Sequence, residues 1–200
     1  VLGFTAILLA GAFFSVRINP ACRQNLAVHH AQYQELAEAL SEGKVSVGDA
    51  EEALLAMKNP YDTIALQAAG IGYRADYAYY NGKYYVYFGI VPVLLLYLPY
   101  YLLTGGALQN YVFFAGFIIA AAGFVYELMK RYFKEQPFYL WAVGTGMLVG
   151  SYSMFYLLIR PDLYHVPIVA SAMFATAGLW LYLAGLNRPK KAVGLYAFGS

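Results

Sequence analysis

Long apolar runs separated by short polar breaks dominate the second half of the chain. Residues 107–128 ("ALQNYVFFAGFIIAAAGFVYEL"), 138–159 ("FYLWAVGTGMLVGSYSMFYLLI") and 164–186 ("YHVPIVASAMFATAGLWLYLAGL") are almost free of charge. The first carries only Glu127, near its end, the second carries no charge, and the third has only His165, near its start. A helix needs about 20 residues to cross the hydrocarbon core, so each run predicts a transmembrane helix. Residues 1–16 form another apolar run, and 192–200 begin a further one. The chain opens at Val1 and closes at Ser200 inside these runs, so it reads as a fragment with a truncated first and last helix.

Between them the pattern changes. Residues 29–42 ("HHAQYQELAEALSE") place Tyr33, Leu36, Ala37 and Leu40 at helical spacing, with Glu35, Glu38 and Glu42 opposite. Gly43 supplies a stop. A second short amphipathic helix is predicted over 47–58, with Asp49 near its start. "NPYD" at 59–62 reads as a turn. In "DYAYYNGKYYVYF" two tyrosine-rich arms flank Asn81-Gly82, the pair that accepts positive φ in a type I′ turn, which predicts a hairpin. Residues 84–104 are apolar enough to insert, yet Pro92 and Pro99 interrupt the helical ladder and the tyrosines prefer the headgroup level. A span and a juxtamembrane or re-entrant segment are both open by hydropathy, and the prolines and tyrosines favour the second.

Composition sharpens the class. Hydrophobic residues make up 61% and charged residues 12%, which excludes an ordinary soluble domain. The expectation is an all-α polytopic membrane protein: a transmembrane helix bundle with an extracytoplasmic loop of amphipathic helices and a small hairpin after the first helix. A net charge of +2 gives no reason to expect nucleic acid. Lys130, Arg131 and Lys134 in 129–137, and Arg188, Lys190 and Lys191 in 187–191, mark those connections as cytoplasmic. The connection 160–163 has Arg160 offset by Asp162 and is expected outside. If 84–104 returns to the surface it left, the loop 17–83 is also outside. Cys22 is alone, so no intrachain disulfide forms.

The run "QYQELAEALSEGKVSV…NPYD…DYAYYNGKYYVYFGIVPVLLLYLPYYLLTGG" resembles uncharacterised bacterial polytopic proteins similar to the GT-C glycosyltransferases, such as the protein O-mannosyltransferases and aminoarabinose transferases. The resemblance covers roughly residues 30–106, and the later spans by layout only. It implies a large extracytoplasmic loop with juxtamembrane helices, a bacterial inner-membrane location and a polyprenyl-phosphate sugar donor. It also implies an acid soon after the first helix and another after the third span. "SVRINPACRQNLAVHH" offers no acid before Glu35, whereas "IRPDLYH" places Asp162 at the expected outer face.

Inverting transfer from a lipid-phosphate sugar needs a carboxylate to orient or deprotonate the acceptor, and cations or a metal to stabilise the leaving phosphate. Asp62, Asp76 and Asp162 are the candidate acids. Arg74, Lys83, Arg160 and His165 are candidates for phosphate, and Tyr85 for stacking on sugar. Plainer roles stand beside these: Asp62 as a turn cap, Asp76 with Lys83 as a cross-strand pair, Arg160 with Asp162 as an interfacial ion pair. The cofactor is left open, a divalent cation being one choice. No metal site is assigned, because adjacent histidines such as His29-His30 point about 100° apart on a helix. Gly146 and Gly150 form a small-xxx-small pair that predicts close helix packing. A non-enzymatic protein for envelope polysaccharide assembly or export is the alternative reading. If the loop is outside, a cysteine at Asn81 in a Cys22-free variant reacts with an impermeant thiol reagent on intact cells; protection there, with labelling only after lysis, would put the loop in the cytoplasm.

Overall fold

The computed structural model describes residues 2–18, 32–72, 74–151 and 163–188, together with Gly194 and Tyr196. In chain order the elements are α1 (Leu2–Ile18), α2 (Gln32–Ser41), β1 (Gly48–Asp49), α3 (Glu52–Leu55), α4 (Thr63–Ala69), β2 (Ala78–Tyr80) and β3 (Lys83–Tyr85). They continue with α5 (Val93–Thr104, opening in a π turn), α6 (Val112–Tyr132), α7 (Tyr139–Ser151) and α8 (His165–Asn187). Two compact units result: Val1–His29 with Gln109–Ser200, and His30–Leu108.

In the first unit, α6 and α8 are long and apolar enough to cross a membrane. Only 33% of the most apolar stretch of α8 is buried, so most of an uncharged helix faces outward. A helix apolar all round needs either a protein interior or lipid around it. The chain is accordingly mostly helical, and two of its helices suit a membrane. The span expected over 107–128 begins later, at Val112, because Asn110 and Gln109 are taken up in the turn that receives the first helical N–H groups. Of the span expected over 138–159, the part through Ser151 is helical and the rest lies outside the described residues, as does most of 192–200.

Glycines set the contact between α6 and α8. A Cβ at Gly116 would lie 2.3 Å from Met173 Sδ, and one at Gly123 would lie 2.3 Å from the Trp180 ring. The two positions are seven apart, one face of a helix. Met173 is flexible and can yield, but the indole is rigid. Gly146 and Gly150, expected to pack, meet nothing within 4 Å among the described residues. Between α6 and α7, Trp141 is buried and its indole N–H donates to the Ala122 carbonyl at 3.0 Å. Phe4 of α1 meets the same indole edge-on, with ring centroids 5.5 Å apart.

One acid is enclosed in this unit. Glu127 is 2% exposed, and its carboxylate accepts from the Asn187 amide at 2.7 Å and pairs with Arg188. Arg131 reaches across to the Leu186 carbonyl at 3.2 Å. A buried carboxylate without such partners would cost several kcal/mol, on the order of what a domain has in hand.

The second unit is built around the hairpin. Asn81 has φ 48° and Gly82 φ 77°, the left-handed pair a type I′ turn needs, and Tyr80 faces Lys83 across it. β1 adds to the other side of β3, giving the antiparallel order β1-β3-β2. This pairing displaces the helix expected over 47–58. Val47 N–H donates to the Tyr84 carbonyl and Ala50 N–H to the Gly82 carbonyl, so the backbone joins the sheet and only Glu52–Leu55 stays helical. The unexpected α4 has a readable start and stop. Asp62 caps it by accepting from the Ile64 and Ala65 amides, and Gly70 ends it at φ 67°. Tyr61 closes the outer edge of β2: its hydroxyl accepts from Tyr79 N–H and donates to Tyr79 C=O.

Leu54, Leu66, Tyr77 and Tyr84 form the core beneath this sheet. A separate contact joins α2 to α5, where Tyr33 and Tyr97 stack 5.6 Å apart. In α5 the residues Val93–Tyr97 wind as a π turn, and the Leu98 N–H donates to the Val93 carbonyl. Pro99 follows at once. Its ring would clash with the carbonyl four residues back in an α-helix, and the wider turn gives that carbonyl room. At ~1.5 Å per residue α5 is about 18 Å long, short of the ~30 Å hydrocarbon core.

Gly123→Ala is expected to destabilise the protein by about 1–3 kcal/mol through overpacking on the indole. Gly146→Ala should stay within about 0.5 kcal/mol of the parent. Thermal unfolding of the two variants in detergent, side by side, checks the difference.

Candidate functional site

Arg74 follows α4 and reaches back under the hairpin. Its Nη2 donates to both carboxylate oxygens of Glu35 on α2 and to the Tyr77 hydroxyl at 2.9 Å. Its Nη1 donates to the Val47 carbonyl at 3.2 Å. The guanidinium lies 4.1 Å from the centroid of the Tyr77 ring and 5.8 Å from that of Tyr84. Contacts of a cation with aromatic faces add about 0.5–2 kcal/mol each, more as water is excluded. The Tyr77 hydroxyl in turn donates to Glu35 at 2.7 Å. Burial first, and then the bond to Glu35, push the Tyr77 hydroxyl well above the ordinary tyrosine range.

Beside this cluster opens a cavity of about 250 Å³. Its walls include Tyr61, Tyr77, Tyr79 and Tyr84, with Arg74 and Asp76 among the polar groups. The hydroxyl of Tyr79 is buried without a hydrogen-bond partner among the described residues. Asp76 is exposed and has φ 63°, a left-handed conformation that aspartate tolerates better than most residues. Aromatic faces with a carboxylate and a cation are the group types that grip a sugar ring: the rings cover its apolar C–H face and the polar groups take its hydroxyls.

The expected site residues are distributed unevenly. Arg74 and Asp76 come together at this cavity. Asp62 lies close in sequence, but its carboxylate is the N-cap of α4, not the turn cap expected after Asn59-Pro60. Lys83 is paired in register with Tyr80 and Asp49, so the cross-strand pair with Asp76 does not form. Lys83 lines a different, acidic depression with Glu35, Glu38 and Glu42. Tyr85 alternates with the inward Tyr84 and is outside the cavity wall, as a two-residue period requires. His165 begins α8 in the other unit. Arg160 and Asp162 lie outside the described residues. No cluster of three or more metal-ligating side chains occurs among the described residues.

Sequence reading missed Glu35 as the partner of Arg74. The signal was weak, because the two are 39 residues apart and Glu35 sat on what looked like a solvated helix face. Tyr61 and Tyr79 had no signal beyond tyrosine abundance. The chain matches no family model, no curated protein and no solved structure.

The raised Tyr77 hydroxyl gives a pH test. The folded state keeps this proton where an unfolded chain, with an ordinary value of 10.0, releases it. Its contribution is therefore fully present below about pH 10 and is lost as pH rises toward the folded value. Thermal unfolding of the parent should fall more steeply between about pH 10 and 12 than that of Tyr77→Phe. Parallel slopes would remove Tyr77 from the set of groups that tie this cluster together.

Proposed function

We propose that this chain is part of a multi-pass bacterial inner-membrane glycosyltransferase of GT-C type. It would take a sugar from a polyprenyl-phosphate donor on the outer face. The observation that carries the reading is the tyrosine-walled cavity holding Asp76 and Arg74, in a unit that sits in sequence between apolar helices. The resemblance of residues 30–106 to that superfamily supports it. The four apolar helices α1, α6, α7 and α8 supply the membrane part, with the basic connections 129–137 and 187–191 inside.

In this reading Asp76 orients or deprotonates the acceptor hydroxyl. The acceptor oxygen attacks the anomeric carbon, the bond from that carbon to the donor phosphate breaks, and polyprenyl phosphate leaves with the electron pair. The acceptor proton passes to the carboxylate. The tyrosines hold the sugar, and Arg74, fixed by Glu35, shapes the cavity floor more than it clamps phosphate. From the sequence, Asp162 stays a candidate for a second acid, and Arg160 and His165 stay candidates for phosphate. A divalent cation would be an added electrophile at the leaving group.

A second reading has one specific observation in its favour. Asp62 caps a helix and Arg74 is bound to Glu35, so the cavity presents Asp76 without a converging second carboxylate. A glycan-binding protein for envelope polysaccharide assembly or export needs no more than that.

Transfer of labelled sugar from a polyprenyl-phosphate donor, measured with the full-length protein in membranes, separates the two. Asp76→Asn keeps the left-handed backbone and should lower the rate by about 10²–10⁴, the range for a positioned base. Asp62→Asn should keep most activity. Undiminished transfer by Asp76→Asn would remove this acid from the chemistry. Glycan binding by a parent that transfers nothing would favour the assembly role.

A further inference from the structure

Outside the cavity, the described residues carry one strongly basic recess. Lys130, Arg131, Tyr132, Lys134 and Asn187 line an open hollow of about 540 Å³ where the C-terminal ends of α6 and α8 meet. We propose that this hollow is a binding site for the phosphate headgroup of an anionic phospholipid, drawn from the leaflet that surrounds those helix ends.

Three observations point to such a ligand. First, the recess keeps its positive charge, since the exposed Glu135 beside it makes no ion pair among the described residues and the other nearby acid is already neutralised. Glu127 is buried and pairs with Arg188 and Asn187, so its charge does not offset Lys130 and Lys134. Neither lysine has an ion-pair partner among the described residues. Second, the wall is held in place. Asn187 is tied to the Glu127 carbonyl at 3.1 Å, and Arg131 reaches the Leu186 carbonyl at 3.2 Å while its guanidinium lies 5.7 Å from the Tyr132 ring. An anchored wall loses less side-chain freedom on binding than loose surface lysines would.

Third, apolar surface runs directly up from the recess. Tyr126 on α6 lies four residues before Lys130, on the same face of the helix, and is 38% exposed. At ~1.5 Å per residue it is about 6 Å along the helix, where the glycerol and first acyl carbons would follow a bound headgroup. A free phosphate would use the lysines but not this surface. A lipid uses both. The recess also lies on the side that the positive-inside tendency assigns to the cytoplasm, whose leaflet carries the anionic lipids.

The test is a titration of the detergent-purified full chain with phosphatidylglycerol, phosphatidylcholine or inorganic phosphate, followed by native mass spectrometry. Phosphatidylglycerol should bind in preference to phosphatidylcholine. Lys130→Gln with Lys134→Gln should weaken it by roughly thirtyfold, from about a fivefold contribution per cation near the surface. Lys130→Arg with Lys134→Arg should retain binding, which controls for folding together with an unchanged thermal midpoint. Equal binding of the two lipids, or an unaffected glutamine variant, would overturn the proposal. Inorganic phosphate competing as well as the lipid would make this a free-anion site and overturn it equally.

Discussion

The guanidinium of Arg74 is the junction on which the His30–Leu108 unit depends. It fastens α2 through Glu35, the strand-forming segment through the Val47 carbonyl, and the hairpin through Tyr77. These three pieces come from sequence positions far apart, and the apolar core under them is small: Leu54, Leu66, Tyr77 and Tyr84. A core of that size rarely supplies more than a few kcal/mol. A charge-assisted bond contributes about 1.5–3 kcal/mol where water is partly excluded, so this cluster weighs heavily in the unit. The same junction builds the cavity, because the rings that cover the guanidinium are also its walls.

The other unit uses a different economy of contact. Lipid tails are as apolar as leucine, so helices gain little by hiding side chains from them and rely on close fit and polar ties. α6 and α8 show both. Gly116 and Gly123 let Met173 and Trp180 sit against bare backbone, and Glu127 with Asn187 and Arg188 fixes the helix ends together.

Much of the outline was legible from local rules. The apolar runs gave α6, the described part of α7, and α8. The 3.6-residue spacing with Gly43 gave α2, and Asn81-Gly82 gave the hairpin, because each of these is decided within a few residues. What escaped was decided at a distance. The helix over 47–58 lost to β1 because the edge of β3, more than thirty residues away in the chain, offered its backbone a partner. α4 escaped because Asn59-Pro60 drew attention to a turn, although Asp62 and Gly70 are a sound cap pair. For the site, Arg74 and Asp76, named separately for phosphate and as an acid, line one cavity. Glu35, Tyr61 and Tyr79 needed the fold. Tyr85 is one residue out of phase with the inward Tyr84, and on a strand that selects the opposite face.

The hydroxyl of Tyr61 carries a last implication. By meeting both the N–H and the C=O of Tyr79, it occupies the two bonding groups that β2 would otherwise hold out to a neighbour. A three-residue strand with one residue's ladder already taken is a poor template for another chain. Partners must therefore approach this edge through side chains, at aromatic faces and carboxylates, and not by adding a strand beside β2.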